Sequence, residues 1–323
     1  METKQLTVSP APHIRAPLTT QHLMWLVVAA LTPATLAGIL IFGRPAVTII
    51  AVSVLAAVAT EALCQVIMGR PVTVSDGSAV VTGLLLALII PPVAPWWLAV
   101  LGSAFAVAVG KQVFGGLGHN LFNPALTGRA FLLASWPLLM TGWKWPEGGL
   151  SWAGESADAV AGATVLQLMR NGFFTEHGVT VPYSQLFMGN IAGSLGETSA
   201  LALLAGVIFL LAFRVIDWRI PVSYVGTALV LAFLAGQDPL FHLLTGGLLL
   251  GAFFMATDYV TTPVTAAGRL YFGLGCGLLT FLIRRYGGYP EGVTYAILLM
   301  NAATPLLDRF TIPKRFGEVR ANA

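Results

Sequence analysis

The 323-residue chain is 56% hydrophobic and 10% charged, with 17 Lys and Arg against 14 Asp and Glu for a formal net charge of +3. A mean hydropathy of +0.81 lies outside the balance that a soluble domain strikes between polar surface and apolar core, so the composition is that of an integral membrane protein. The small positive excess is spread through loops and forms no patch for nucleic acid. Two cysteines, Cys64 and Cys276, both inside apolar stretches, are too few for a disulfide framework or a four-cysteine zinc or iron–sulfur site.

Lipid offers no partner to unpaired backbone groups, and a helix needs about 20 apolar residues to cross a hydrocarbon core about 30 Å thick. In chain order, residues 1–22 form a polar tail containing Pro10, Pro12 and Pro17, without the pattern of a cleavable signal peptide. Ten helices follow, predicted over 23–42, 46–68, 78–90, 96–114, 126–141, 199–215, 221–235, 243–255, 270–283 and 293–307. The third is short and stops at Pro91-Pro92, where backbone donors are lost, so it reads as a half or broken helix. The expected division is a first five-helix half over 23–141, a polar loop over 142–197, a second half over 198–308 and a tail over 309–323.

Loop charges set the expected orientation. With the N-terminus inside, Lys4, Arg15, Arg70, Lys111, Arg129, Arg214, Arg219, Arg269, Arg309, Lys314, Arg315 and Arg320 fall on the inner side. Arg44, Lys144, Arg170, Arg284 and Arg285 fall outside. Twelve against five places both termini in the cytoplasm and the 142–197 loop on the outer face. An echo at a shift of 172 pairs Pro91 with Pro263, Ala94 with Ala266, and Phe114-Gly115-Gly116 with Tyr286-Gly287-Gly288. Five helices per half make the halves inverted repeats, an arrangement common in transport proteins with broken helices.

Two glycine-rich polar interruptions, SDGSAVVTG from Ser75 and GGLGHNLFNPALTGRAF from Gly115, bring Asp76, Ser78, Thr82, Asn120 and Asn123 to membrane depth. Such groups belong inside protein or along a cavity. The plainer reading makes Asp76 a helix cap and Asn123-Pro124 a turn. Glu197, in GSLGETSA, is placed equally well as a helix-end charge or as a functional group. Glu61 and Asp258, with Asp76, are the candidates for an ion path. His13, His22, His119, His177 and His242 supply no pair at ligand spacing, and no phosphate loop, dinucleotide fingerprint or nucleophile elbow is present. Trp136, Trp143, Trp145 and Trp152 gather near the outer boundary as an interfacial belt.

VSPAPHIRAPLTT, SDGSAVVTGLLLALIIPPVAPWW, GKQVFGGLGHNLFNPALTGRAFLLASWP and GSLGETSALALLAG together resemble the RnfD and NqrB family, membrane subunits of the Rnf and sodium-pumping NADH:quinone oxidoreductase complexes. The resemblance covers nearly the whole chain, and the missing N-terminal extension favours the RnfD branch, although GHNLFNPALTGRAF leans toward the other. It implies a threonine esterified through the phosphate of FMN by a flavin transferase, within a D-x-x-[ST]-G-A-T motif. Asp158, Gly162, Ala163 and Thr164 fall on that pattern, with Ala161 where the family usually has Ser or Thr. An exposed hydroxyl on an outer loop among small neighbours is what a modifying enzyme needs. The resemblance further implies a second, non-covalent flavin such as riboflavin near Asn120 and Asn123. The implied activity is electron relay in a cytoplasmic-membrane complex that couples ferredoxin and NAD redox chemistry to Na⁺ or H⁺ movement. Partner iron–sulfur and flavin subunits would supply the ends of the electron path. A stand-alone channel or secondary transporter, and a structural subunit without redox activity, are the alternatives that a bound flavin would decide.

Overall fold

The computed structural model describes residues 19–146, 162–177, 180–288 and 292–313. Asp158, Ala161 and the charges of both tails except Arg309, which falls in the last turn of the final helix, lie outside the described residues. Among those described, every regular element is helical. α1 (Thr20–Phe42) is capped by Thr19, whose hydroxyl accepts from His22 N, and Gly43 at φ 68° turns the chain into α2 (Arg44–Ile67). α3 (Ser78–Leu88) is short, and α4 (Trp96–Val107) continues as a π turn over Ala108–Gln112. α5 (Pro124–Ser135) ends at Trp136, and Pro137 opens the single turn α6 (Pro137–Met140). Among the described residues, the loop then carries three short helices, α7 (Val165–Arg170), α8 (Phe173–His177) and α9 (Tyr183–Met188).

The second set comprises α10 (Ala200–Ala212), α11 (Arg219–Leu234), α12 (Pro239–Leu244), α13 (Leu248–Leu250) with a π turn over Gly251–Met255, α14 (Ala266–Tyr286) and α15 (Val293–Thr311). α1, α2 and α14 are long and apolar enough to cross a membrane. Outward-facing Leu40, Leu55, Ile208 and Phe233 suit contact with lipid. Helix occurs in all ten predicted places. Two predicted helices are divided: 126–141 breaks at Pro137, whose ring cannot continue the ladder, and 243–255 breaks at Thr245–Gly247.

Small residues let the helices meet. A Cβ on Gly83 of α3 would lie 2.8 Å from Val54 Cα of α2, so only glycine permits this approach. Ser53 Oγ donates to Gly83 O at 2.8 Å and lies 2.7 Å from Ser103 Oγ of α4, satisfying hydroxyls that lipid would penalise. The second set repeats this join of second to fourth long helix: Tyr224 Oη of α11 lies 2.6 Å from Thr280 Oγ1 of α14. The residues paired at a shift of 172 sit alike in the order. Pro91 and Pro263 precede α4 and α14, and Gly115-Gly116 and Gly287-Gly288 follow them. α1 packs on α10, joining the sets.

Both broken helices have their freed carbonyls answered by distant groups, as buried helix ends require. Past α3, Leu88 O accepts from Gly196 N at 2.8 Å and Ile90 O from Leu195 N at 3.3 Å. Past α12, the Arg284 guanidinium donates to His242 O at 2.9 Å and to Thr245 O and Gly246 O at 3.0 Å each. Gly246 and Gly247, at φ 66° and 68°, make the turn. The segment 193–198 thus lies between the end of α3 and the start of α13, where Gly247 leaves room for the Glu197 carboxylate.

Candidate functional site

Thr164 is the residue before α7, and its hydroxyl accepts from Gln167 N at 3.2 Å. The sequence pattern called for an exposed hydroxyl; Thr164 is instead 7% exposed. Val165, Leu166 and Leu168 are drawn into the core and carry Thr164 inward with them. Trp145 Nε1 donates to Ala163 O at 3.1 Å, whereas Gly162 is exposed, and a Cβ there would meet no atom within 4 Å. Thr164 lines a narrow cleft with Gly193, Glu197, Thr198, Thr245 and Gly246. The hydroxyls of Thr198 in this wall and of nearby Ser194 are buried and have no hydrogen-bond partner among the described residues.

Glu197 does not cap α10; Ser199 does, accepting from Ala202 N. Glu197 Oε1 instead lies 3.0 Å from Arg129 Nη1, with both side chains more than nine-tenths buried. Arg129 and Lys111, counted as inner-loop charges from the sequence, are therefore interior residues of helical segments.

A second cluster gathers where the first set meets the second. Glu61 of α2 is 1% exposed, and its Oε1 accepts from Lys111 Nζ at 2.6 Å and Gln112 Nε2 at 2.8 Å. Lys111 Nζ also donates to Ser78 Oγ at 2.5 Å, and Ser78 Oγ donates to Asp76 Oδ1 at 2.5 Å. Asp76 Oδ1 accepts from Ser78 N as well, but the N-cap of α3 is Gly77, at φ 80°, so Asp76 meets the first turn from one position further out and is not the cap expected. The four side chains form a chain from half-buried Asp76 to buried Glu61, whose Oε2 has no partner among the described residues.

Lys111 and Ser78 line a cavity of about 780 Å³, mouth included, together with Asn120, Asn123, Phe253 and Asp258. Asn123 caps α5 by accepting from Leu126 N at 3.3 Å, donates through Nδ2 to Met255 O, and donates its backbone N–H to Asn301 Oδ1. Asn120 Nδ2 donates to Phe122 O at 3.2 Å. Asp258 sits in the same wall, its carboxylate accepting from Val260 N and Thr261 Oγ1. The structure thus brings Asp76, Glu61, Asn120, Asn123 and Asp258 to one region and sets Thr164, Ala163 and Gly162 at another. Lys111, Gln112, Arg129, Ser194 and Thr198 were not singled out from sequence. Lys111 and Arg129 carried a usable signal, an ionisable residue within an apolar run.

Residues 7–317 match the NQR2, RnfD, RnfE family. The chain belongs to this family. Among similar members of the NQR2, RnfD, RnfE family is the D subunit of the Na⁺-translocating ferredoxin:NAD⁺ oxidoreductase complex of Acetobacterium woodii. It is 49% identical over 319 residues, covering 98% of this chain and 97% of the relative. The D subunit of the proton-translocating ferredoxin:NAD⁺ oxidoreductase complex of Clostridium ljungdahlii is 45% identical, with 97% of each chain covered. The D subunit of the ion-translocating oxidoreductase complex of Stutzerimonas stutzeri is 45% identical over 92% of each.

Proposed function

We propose that the chain is the D subunit of an Rnf-type complex, relaying electrons through FMN esterified to Thr164 while ferredoxin and NAD redox chemistry drives Na⁺ or H⁺ across the membrane. The observation that carries this reading is near-end-to-end similarity to the D subunits of both sodium- and proton-translocating ferredoxin:NAD⁺ oxidoreductase complexes. Iron–sulfur and flavin subunits supply the two ends of the electron path, and a flavin transferase installs the FMN, with Asp158, Gly162 and Ala163 forming its recognition sequence.

The residues around Thr164 fit a phosphoester. The partnerless hydroxyl of Thr198 lies in the same cleft, with that of Ser194 close by, and both are suited to donate to phosphate oxygens. The Thr164 oxygen that accepts from Gln167 N is the one that would carry the ester, and at 7% exposed it has to be uncovered for a transferase to reach it. When bound, the flavin supplies electron-carrying chemistry, while the protein fixes its place and surroundings. Asn120 and Asn123 bind the second, non-covalent flavin, in a cavity whose wall combines amides with aromatic and aliphatic side chains, as cofactor sites do.

Asp76, Glu61 and Asp258 belong to the ion path. Both termini lie in the cytoplasm of a prokaryotic cell, with the 142–197 loop outside the cytoplasmic membrane. Moving buried Lys111 and Arg129 out of the inner count and Arg284 out of the outer count leaves ten against four, preserving the bias.

The test is in-gel flavin fluorescence under denaturing conditions, with the chain produced beside a flavin transferase and compared with Thr164→Val. A fluorescent band that disappears in the variant, with FMN found on the 162–170 peptide by mass spectrometry, is expected. A dark wild-type band beside a modified control protein overturns the covalent reading.

A further inference from the structure

The cavity bounded by Asn120 and Asn123 is framed by the two π turns of the chain's described residues. Lys111 projects from the turn at Ala108–Gln112, while Phe253 and Phe254 come from Gly251–Met255. A π turn widens the helix locally and is often found at functional sites. Here Gly110 brings the first turn against α5, since a Cβ at Gly110 would lie 3.2 Å from Pro124 Cα. An ammonium has three donors. Two are committed, to Glu61 Oε1 and Ser78 Oγ, and the side chain is 2% exposed. Glu61 is also incompletely used, because Oε1 accepts two bonds while Oε2 accepts none.

A buried ion pair is a poor source of stability, since desolvating both charges can cost more than their attraction returns. An apolar pair of the same volume would serve packing alone. The rings of Phe253 and Phe254, the amides of Asn120 and Asn123, and the Lys111 ammonium make a wall suited to a planar heteroaromatic ring that becomes negative, with the Asp258 carboxylate, held by Val260 N and Thr261 Oγ1, as the one opposing charge among the cavity's described lining. A flavin that accepts one electron without a proton from a ferredoxin-fed donor in the complex gains one negative charge. We propose that Lys111 faces the ring of the flavin held at Asn120 and Asn123 and supplies the positive charge that stabilises its reduced anion. Glu61 is the counter-charge that sets how much of that positive charge the ring feels. This role of Lys111 rests on the second-flavin reading.

The experiment uses the whole complex, purified as wild type, Glu61→Gln and Lys111→Met/Glu61→Gln. The double variant avoids stranding a lone buried carboxylate, which Lys111→Met alone would do. Non-covalent flavin released by denaturation is quantified per chain, and the midpoint potential of that flavin is followed by spectroelectrochemical titration. Glu61→Gln, with the ammonium uncompensated, is expected to shift the potential positive. The double variant, with the ammonium gone, is expected to shift it negative. Potentials that coincide with wild type, or shifts of the same sign, overturn the role of Lys111, because a merely structural pair has no reason to move the potential in opposite directions. Wild-type complex that releases no non-covalent flavin overturns the second-flavin reading and the inference with it, a result distinct from either potential outcome.

Discussion

Arg129 and Glu197 offset one another's charge in the interior. Arg129→Met leaves the Glu197 carboxylate buried beside Gly247 without its ion partner, and such a loss costs about 3–5 kcal/mol. Arg129→Met/Glu197→Leu removes both charges and is expected to recover most of that stability. Thermal unfolding in detergent compares the two, and a double variant no better than the single would refute this mutual dependence. Asp217, between α10 and α11, answers to pH. Burial pushes its carboxyl upward, but the backbone N–H of Arg219 and the guanidiniums of Arg269 and Arg219 outweigh this and hold it below the usual carboxylate value. A depressed carboxyl stabilises the fold above its unfolded value, about 3.9, and loses that contribution as pH falls through the folded one. Wild type should therefore unfold at higher temperature than Asp217→Asn at neutral pH, and the gap should close on strong acidification. At this scale the sequence showed which carboxylates lie in or beside apolar runs but not their partners. Glu61 and Lys111 are 50 residues apart and Arg129 and Glu197 are 68 apart, separations that no local pattern encodes.

The two broken helices differ in how much the chain announces them. Pro91-Pro92 ends α3 by local chemistry and could be read directly. Thr245-Gly246-Gly247 interrupts an apolar run, and glycine alone only weakens a helix; what completes the break is the Arg284 guanidinium, 38 to 42 residues further on. The π turns were equally hidden, because they depend on close approaches such as Gly110 to Pro124. Gly196 is the sharpest test of the docking on α3. A Cβ there would already stand 2.6 Å from the Leu88 Cβ, so Gly196→Leu is expected to cost at least the roughly 1–3 kcal/mol typical of overpacking. Gly162→Ala, where nothing lies within 4 Å, serves as the neutral control. Equal melting temperatures for the two variants would show that the 193–198 segment does not bear on α3.

Across the whole chain, composition and hydrophobic runs located the helices, because the need to satisfy backbone polar groups leaves lipid-exposed segments few options. How the sets interlock had to come from contacts far apart in sequence. Asn301 is one: its Oδ1 accepts from Asn123 N and its Nδ2 donates to Thr261 O. Asn301→Leu strands Asn123 N, at about 1–3 kcal/mol, while Thr261 O keeps the Thr304 hydroxyl, and the change is expected to lower the melting temperature and the yield of non-covalent flavin together. A variant that melts like wild type would exclude this join as a tie between the sets. The segment 193–198 joins them elsewhere, with Leu195 and Gly196 bonded to the end of α3 and Glu197 seated against Gly247. A carrier that works by rocking needs a free shear plane between its repeats. Here the 193–198 segment ties the two sets together near the break in each, through its bonds to the end of α3 and the seat of Glu197 against Gly247, and that tie opposes rocking of one set against the other.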